Sequence, residues 1–434
     1  MCYCEILLHR QKEGICDLSL LKKGNKFVNK KLICLLTAAT LITSVFTGCS
    51  GTKNILSYDS TASEDEKAKT PSINKNDINA VLIVPNDPSK GACMSAAHAE
   101  AFTNAAKEMG IEAVSTVTES DPESAISKAG DANVVFGGNY IYMNTLDKAS
   151  SNSSDNLYSC FGGFINRTNY TNYNASFYEA QFLAGIAAGM STKSGTIGII
   201  SDVGTKSPES AAEINSFALG VRSVNSSANI VVVVIGSGTD MSDAEKLTKK
   251  LIRQGSDIIS IQCDSTVPAT IAAERKVSFI GYGTDLSYIS DEFCLTSVTC
   301  DFEEYYKSAF ESASDGTWTE DNYHGNLENG SMHLSSVPSE SVQLRIDNVS
   351  ALIKENSFEI FSNYKLTFDP EGNAVTEQTA LLDNQSNVMI AEDGSAYYVY
   401  GKDGLVSVDP LSVSSDVLAY AKMNYLVEGV TVIE

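Results

Sequence analysis

From about residue 79 onward the chain repeats one unit: a short β-branched run, a turn built on Gly or Asp, then an amphipathic helix. A helix between consecutive strands imposes parallel pairing, and a parallel sheet has to be covered by helices on both faces. The repeat predicts strands at 80–84, 134–137, 196–201, 230–235, 257–262, 277–281 and 295–298. Helix starts are written in side-chain chemistry. Ser176 with Glu179 reads as a capping box ahead of an apolar face of Leu183, Ile186, Ala187 and Met190. Ser207-Pro208 places a capping hydroxyl before a proline in the first turn, ahead of Ile214, Phe217 and Val221. Ser242 with Glu245 reads as a second box, stopped at Gly255.

Upstream, Lys22, Lys23, Lys26, Lys30 and Lys31 precede an apolar run from Leu32 to Phe46 that ends in Thr47-Gly48-Cys49. The run is too short for the roughly 20 residues a spanning helix needs, and its layout is that of a secretory signal. Its end resembles a bacterial lipobox, which makes residues 1–48 an upstream extension plus signal and Cys49 the acylated first residue of the exported protein. Residues 49–78, rich in Ser, Thr, Asp and Lys, read as a flexible tether.

Loss of residues 1–48 removes seven Lys/Arg and three Asp/Glu, leaving 24 basic against 51 acidic side chains. Such a surface repels phosphate backbones and anionic headgroups, so nucleic acid is excluded as a partner and membrane attachment falls to the lipid. Cys93, Cys160, Cys263, Cys294 and Cys300 match no metal or redox spacing and read as small buried hydrophobes, with Cys294 and Cys300 on one strand. Beyond residue 49 the histidines are His98, His324 and His333, and no catalytic motif or nucleotide loop accompanies them. No enzyme, cofactor or metal is expected, and His98 is expected on a helix surface.

Several spaced motifs carry a resemblance. They are Phe177-Tyr-Glu-Ala-Gln-Phe-Leu-Ala-Gly185, Ser194-Gly-Thr-Ile-Gly-Ile-Ile200 and Asn215-Ser-Phe-Ala-Leu-Gly-Val-Arg-Ser-Val-Asn225, followed by Gln262-Cys-Asp-Ser-Thr266, Ile280-Gly-Tyr-Gly-Thr-Asp285 and Tyr425-Leu-Val-Glu-Gly-Val430. Together they resemble the basic membrane protein (Bmp/PnrA-like) family of solute-binding lipoproteins over most of residues 80–434. The resemblance implies a periplasmic-binding-protein-like type I fold: two doubly wound parallel-sheet lobes joined by a three-crossing hinge. It also implies ABC permease subunits as partners and a purine nucleoside or base as ligand. On that template lobe one comprises residues 79–166 and 284–298, and lobe two 167–283 and 299–434, with crossings near Asn166, Asp285 and Thr299. An insertion is expected within about 335–418.

Ligands of open parallel sheets sit beyond the carboxyl ends of the strands. That rule selects 87–95, 201–206, 263–266 and 282–285. The candidate contacts are Asp285, Asp264, Ser265, Asn215, Met94, Ser95 and Phe161. The resemblance gives Asp285 the role of binding ribose hydroxyls. Asp264 and Ser265 read equally as helix caps. Phe164, Tyr170, Tyr173 and Phe302 are further aromatic faces, each of which reads as core or surface when taken singly. Two departures weaken the nucleoside expectation: Met94-Ser95 stands where nucleoside-binding relatives have Phe-Asn, and Cys300 where they have Lys. A sensory receptor, a sugar binder and an extracytoplasmic enzyme or adhesin on the same fold are the competing readings, the last lacking paired carboxylates or a cleft histidine to support it.

Overall fold

The computed structural model describes residues 70–433 apart from 92, 236–242, 319–321, 396 and 409–414. The signal segment, Cys49, most of the tether and Ser242 lie outside the described residues. Among those described, no helix is long and apolar enough to cross a membrane.

The chain begins β1 (Asn79–Val84), α1 (Cys93–Met109), β2 (Ala113–Thr118), α2 (Pro122–Ala129), β3 (Val134–Gly137), α3 (Met143–Asn152), β4 (Leu157–Phe161), β5 (Tyr170–Ala175). It continues α4 (Phe177–Ser191), β6 (Thr196–Ser201), α5 (Pro208–Val224), β7 (Asn229–Val234), α6 (Ala244–Arg253), β8 (Ile258–Gln262), α7 (Val267–Glu274), β9 (Ser278–Gly283), β10 (Cys294–Cys300). Then come α8 (Glu303–Asp315), β11 (Tyr323–Gly325), β12 (Met332–Leu334) and α9 (Glu340–Lys354).

Sheet one has the order β11-β5-β4-β3-β1-β2 and is parallel throughout. The second sheet runs β12-β10-β9-β8-β6-β7 and ends on a last strand, Val430–Val432. Only β12 is antiparallel there. Each sheet is doubly wound, and each reverses direction at its founding strand: β1 lies between β2 and β3, and β6 between β7 and β8. Those reversals open a crevice at the carboxyl ends of β1, β3, β6 and β8.

Sheet membership divides the chain differently from the expected lobes. Residues 284–298 do not return to lobe one, because β10 pairs with β9 and β12 of the second sheet. Nor does lobe one end at Asn166: β5 extends it to Ala175. The strand Tyr-Thr-Asn-Tyr-Asn-Ala is buried along its whole length yet carries little β-branched signal. The chain passes between lobes after Ala175, after Cys300 and after Gly325, with α8 packing its Tyr306 and Phe310 against Phe102 and Phe136 of lobe one.

Helices α4 and α5 pack backbone to backbone. A Cβ on Gly185 would strike the Phe217 carbonyl oxygen, and one on Gly220 that of Phe182. Ser207 caps α5 as expected, accepting from the Ser210 N–H. The capping box at Ser176 does not form: the hydroxyl pairs with His324 Nε2 at 2.7 Å, while Glu179 accepts from the Leu327 N–H at 2.8 Å. Glu179 is thereby a half-buried carboxylate that burial pushes up to about 7. His98 is likewise not at a surface. It is fully buried, stacked on Phe302 at 4.1 Å with Tyr306 Oη 3.0 Å from Nδ1, and burial lowers it to about 3.

Beyond α9 an antiparallel subdomain is inserted: a hairpin of β13 (Tyr364–Phe368) and β14 (Ala374–Gln378), and a sheet of β15 (Leu381–Leu382), β16 (Val388–Ile390), β17 (Tyr397–Gly401) and β18 (Gly404–Val408). The chain then returns to lobe two as β19 (Val430–Val432), parallel to β7. Among the described residues the five cysteines form no disulfide, and all but Cys294 are buried.

Candidate functional site

The crevice encloses a cavity of about 110 Å³ between the two sheets. That is below the roughly 300–1,000 Å³ typical of sites for drug-sized molecules. Lobe one contributes Met94 from the start of α1, Gly138, Asn139 and Tyr140 after β3, Phe161 and Gly162 at the end of β4, and Asn174 near the end of β5. Lobe two contributes Asp202 after β6, Glu209, Ser210 and Glu213 from α5, Gln262 and Asp264 at the end of β8, and Tyr282 in β9. Apart from Ala419 of the carboxyl-terminal segment, the lining residues sit at or just beyond strand ends or on the helices that follow them, which is where parallel-sheet geometry puts binding residues.

Asp264 spans the crevice. Its carboxylate accepts from the Met94 N–H at 2.7 Å, the Ser95 N–H at 3.3 Å, the Ser95 hydroxyl at 2.7 Å and Asn86 Nδ2 at 2.9 Å. A carboxylate of lobe two thus satisfies the free N–H groups at the amino end of α1 in lobe one, where the helix dipole also favours negative charge. A second bridge lies beside it: the Thr266 N–H donates to the Gly91 carbonyl at 2.8 Å. Gly91 has φ +88°, and a Cβ there would collide with the Thr266 hydroxyl, so the close approach requires glycine.

The remaining carboxylates face the cavity. Glu213 accepts from the Tyr282 hydroxyl at 3.1 Å and from Gln181 at 3.4 Å. Asp202 accepts from the Val203 N–H at 2.7 Å. Glu209 accepts no hydrogen bond from the described residues. Burial raises all three, Asp202 to about 6, Glu209 to about 7 and Glu213 to about 8, with the Asp202 charge adding to the rise of both glutamates. Among the described residues no Lys, Arg or His lines the cavity. Among the described residues no three acidic, His or Cys side chains converge as metal ligands do. Gln262, 4% exposed, has neither amide atom hydrogen-bonded.

Of the residues singled out in the sequence, Met94, Phe161 and Asp264 line the cavity. Ser95 is buried on Asp264. Ser265 is buried and accepts from the Val267 N–H, capping α7. Asn215 lies fully buried behind the cavity wall, donating to the Tyr425 carbonyl and accepting from the Val427 N–H, each at 2.9 Å. Asp285 is exposed and folds onto Ser287, accepting from its N–H at 3.0 Å and its hydroxyl at 2.9 Å. It closes a surface turn and does not reach the cavity, because β9 runs two residues further than expected and spends the polar stretch on its own end. Tyr170, Tyr173 and Phe302 are core residues, and Phe164 is exposed.

Asp202 and Tyr282 fell within stretches chosen by the strand-end rule but were not singled out. Glu209, Glu213 and Gln262 were missed. Their signals were present: two glutamates four apart at the start of α5, one face by helical spacing, and a lone amide ending the Ile-rich strand β8.

A family model described as ABC transporter substrate-binding protein PnrA-like matches residues 79–361. Over 239 residues the chain is 28% identical to the Purine-binding protein BAB2_0673 of Brucella abortus, covering 55% of this chain and 67% of that one. Over 221 residues it is 31% identical to a provisionally assigned ABC transporter glucose-binding protein, TsgA13, of Haloferax volcanii, covering 50% of this chain and 56% of that one. The match thus spans between half and two thirds of these relatives. A solute-binding protein structure from Aeropyrum pernix superposes with TM-score 0.55 at 15% identity, covering 67% of this chain and 93% of that one, which shows a shared fold.

Proposed function

Because the chain belongs to the PnrA-like family of ABC transporter substrate-binding proteins, we propose that it captures one small polar solute by closing its two lobes and hands it to an ABC permease. A purine nucleoside or base is the first ligand class to test, since BAB2_0673 is named for binding purines, and a sugar the second, since TsgA13 is named for glucose. The observation that carries the reading is the cavity itself, lined from both lobes at the strand-reversal points and bridged by Asp264. A ligand there binds the closed arrangement better than an open one and shifts the population toward it, and the permease reads the closed shape.

We also infer that Cys49 carries the lipid that holds the protein at the extracytoplasmic membrane face. Its place after a charged, apolar, small-residue sequence supports this. Mass spectrometry of the exported protein, showing cleavage before Cys49 and an acyl mass on it, tests the anchor. A thermal-shift screen of the full chain against nucleosides, bases and sugars tests the binding: a ligand at 100 times its Kd adds about 2.7 kcal/mol to stability. If no solute of any class shifts the melt, the solute-binding reading is wrong.

A further inference from the structure

Four carboxylates line a cavity to whose wall the described residues contribute no Lys, Arg or His. Asp264 is accounted for, since its oxygens hold the amino end of α1. Asp202, Glu209 and Glu213 have no cationic partner among the described residues: they share one electrostatic neighbourhood, Asp202 and Glu213 accept only from neutral donors, and Glu209 accepts no hydrogen bond from the described residues. The same neighbourhood includes Tyr140 of lobe one and Tyr282 of lobe two, whose hydroxyls the charges of Asp202 and Glu209 push further from ionising, after burial itself. Independently of the acids, Gln262 presents an amide to the same cavity, nine-tenths or more buried and with both donor and acceptor unpaired. Burying an amide without partners is unfavourable, so this one is built for a group that the described residues do not supply.

We propose that the solute carries a protonated amine beside a hydroxyl- or amide-bearing edge, its ammonium held against Glu209 in the field of Asp202 and Glu213, its polar edge read by Gln262. This rests on the solute-binding reading above and narrows it.

An anionic solute would meet uncompensated negative charge, and the helix amino terminus that could have received an anion is already filled by Asp264. A neutral solute would leave the carboxylates either ionised and unpaired, which burial opposes, or protonated. A cation resolves both, and the flanking rings of Tyr140, Phe161 and Tyr282 offer it aromatic faces. Metal capture is disfavoured because no three of these side chains converge closely enough.

The test uses matched pairs differing only in amine against hydroxyl: 5′-amino-5′-deoxyadenosine with adenosine, and glucosamine with glucose. Binding to the full chain in detergent is measured by titration calorimetry at about pH 6 and about pH 7.5, in buffers of differing ionisation heat. The amine member of one pair is expected to bind at least tenfold tighter than its hydroxyl twin, to tighten as pH rises, and to release protons. Which pair responds separates a nucleoside frame from a sugar frame. Glu209→Gln should weaken the amine by about tenfold to a hundredfold and the twin by clearly less, so that the preference for the amine collapses, whereas Gln262→Met should weaken both alike. Equal or tighter binding of the hydroxyl twin overturns this proposal while the solute-binding reading stands. Silence from all four overturns the proposal together with its nucleoside and sugar frames, while the solute-binding reading is decided by the wider thermal-shift screen.

Discussion

Replacing Asp264 by alanine should open the molecule without unfolding it. Four donors from lobe one converge on that carboxylate, two of them backbone N–H groups at the start of α1. Truncating one partner of a buried, charged, hydrogen-bonded contact costs about 2–5 kcal/mol, and the four bonds are not additive, so the whole latch is placed in that range. None of it holds either lobe together: the donors belong to lobe one, the acceptor to lobe two, and each lobe keeps its own sheet. The loss therefore falls on the closed arrangement, whose population relative to the open one should drop by about 30-fold to a few thousand-fold. Small-angle scattering of the ligand-free protein reads this directly, as a larger radius of gyration in Asp264→Ala than in the parent, with the urea unfolding midpoint nearly unchanged. Affinity for any solute should fall in proportion to the closed fraction lost. Equal compactness of parent and variant would refute the latch. A variant that unfolds at lower urea with unchanged compactness would show that Asp264 supports a lobe instead.

Other outcomes follow from the same geometry. Asp202, Glu209 and Glu213 hold their protons more tightly folded than unfolded, so their contribution is complete at acidic pH and lost as pH rises through about 6, 7 and 8. His98, lowered to about 3, acts oppositely but only up to its unfolded value near 6.5, so the melting temperature of the ligand-free protein should fall from about pH 6.5 to 8.5 and the fall should flatten in Glu213→Gln. A flat profile in the parent sinks that assignment. Gly220→Ala drives a methyl into the Phe182 carbonyl and should destabilise by about 1–3 kcal/mol in urea unfolding, where an unchanged midpoint contradicts the close packing of α4 and α5. Asn215→Ala leaves the Val427 N–H and Tyr425 carbonyl unpaired and should cost about 1–3 kcal/mol, with proteolysis of the carboxyl-terminal segment as the readout. Unaltered cleavage there would remove the structural role assigned to Asn215.

The strands that form the sheet centres were legible because they are β-branched and bounded by turns: β1, β3, β6, β7, β8, β9 and β10 all stand within a few residues of their expected positions. Those that were missed break the rule for physical reasons. β2 is an exposed edge of Ser, Thr and Val, β4 and β5 bury Tyr, Ser and Asn in place of β-branched residues, and β11 and β12 have three residues each. Of the lobe crossings, the one expected near Thr299 falls after Cys300, the one near Asn166 was misplaced because β5 was not read as a strand, and the one near Asp285 because β10 pairs within the second sheet. For the site, the strand-end rule found the right loops but chose among their polar residues by resemblance and reach. Asp285 was spent on its own turn, and Asn215 on the backbone behind it. Both are local satisfactions that spacing cannot reveal. The acids of α5 act at the cleft because the helix starts there, a fact of tertiary placement.

The return of β19 to β7 sets an order of events in the making of the molecule. Val430 pairs with Ile230, 200 residues earlier, and the whole antiparallel subdomain is spooled out between them. The chain emerges from its amino end, so β7 waits with one bare edge while everything from α6 to β18 is synthesised, and an uncovered edge invites pairing with the wrong strand. Lobe one is less exposed to this hazard, since β1 to β5 are adjacent in time as well as space and only β11 comes late. Its slow step is therefore the late, long-range closure of lobe two. Lobe two cannot cover the β7 edge until the chain through β19 is available, so that edge is the part of the molecule most in need of shielding while the chain is made.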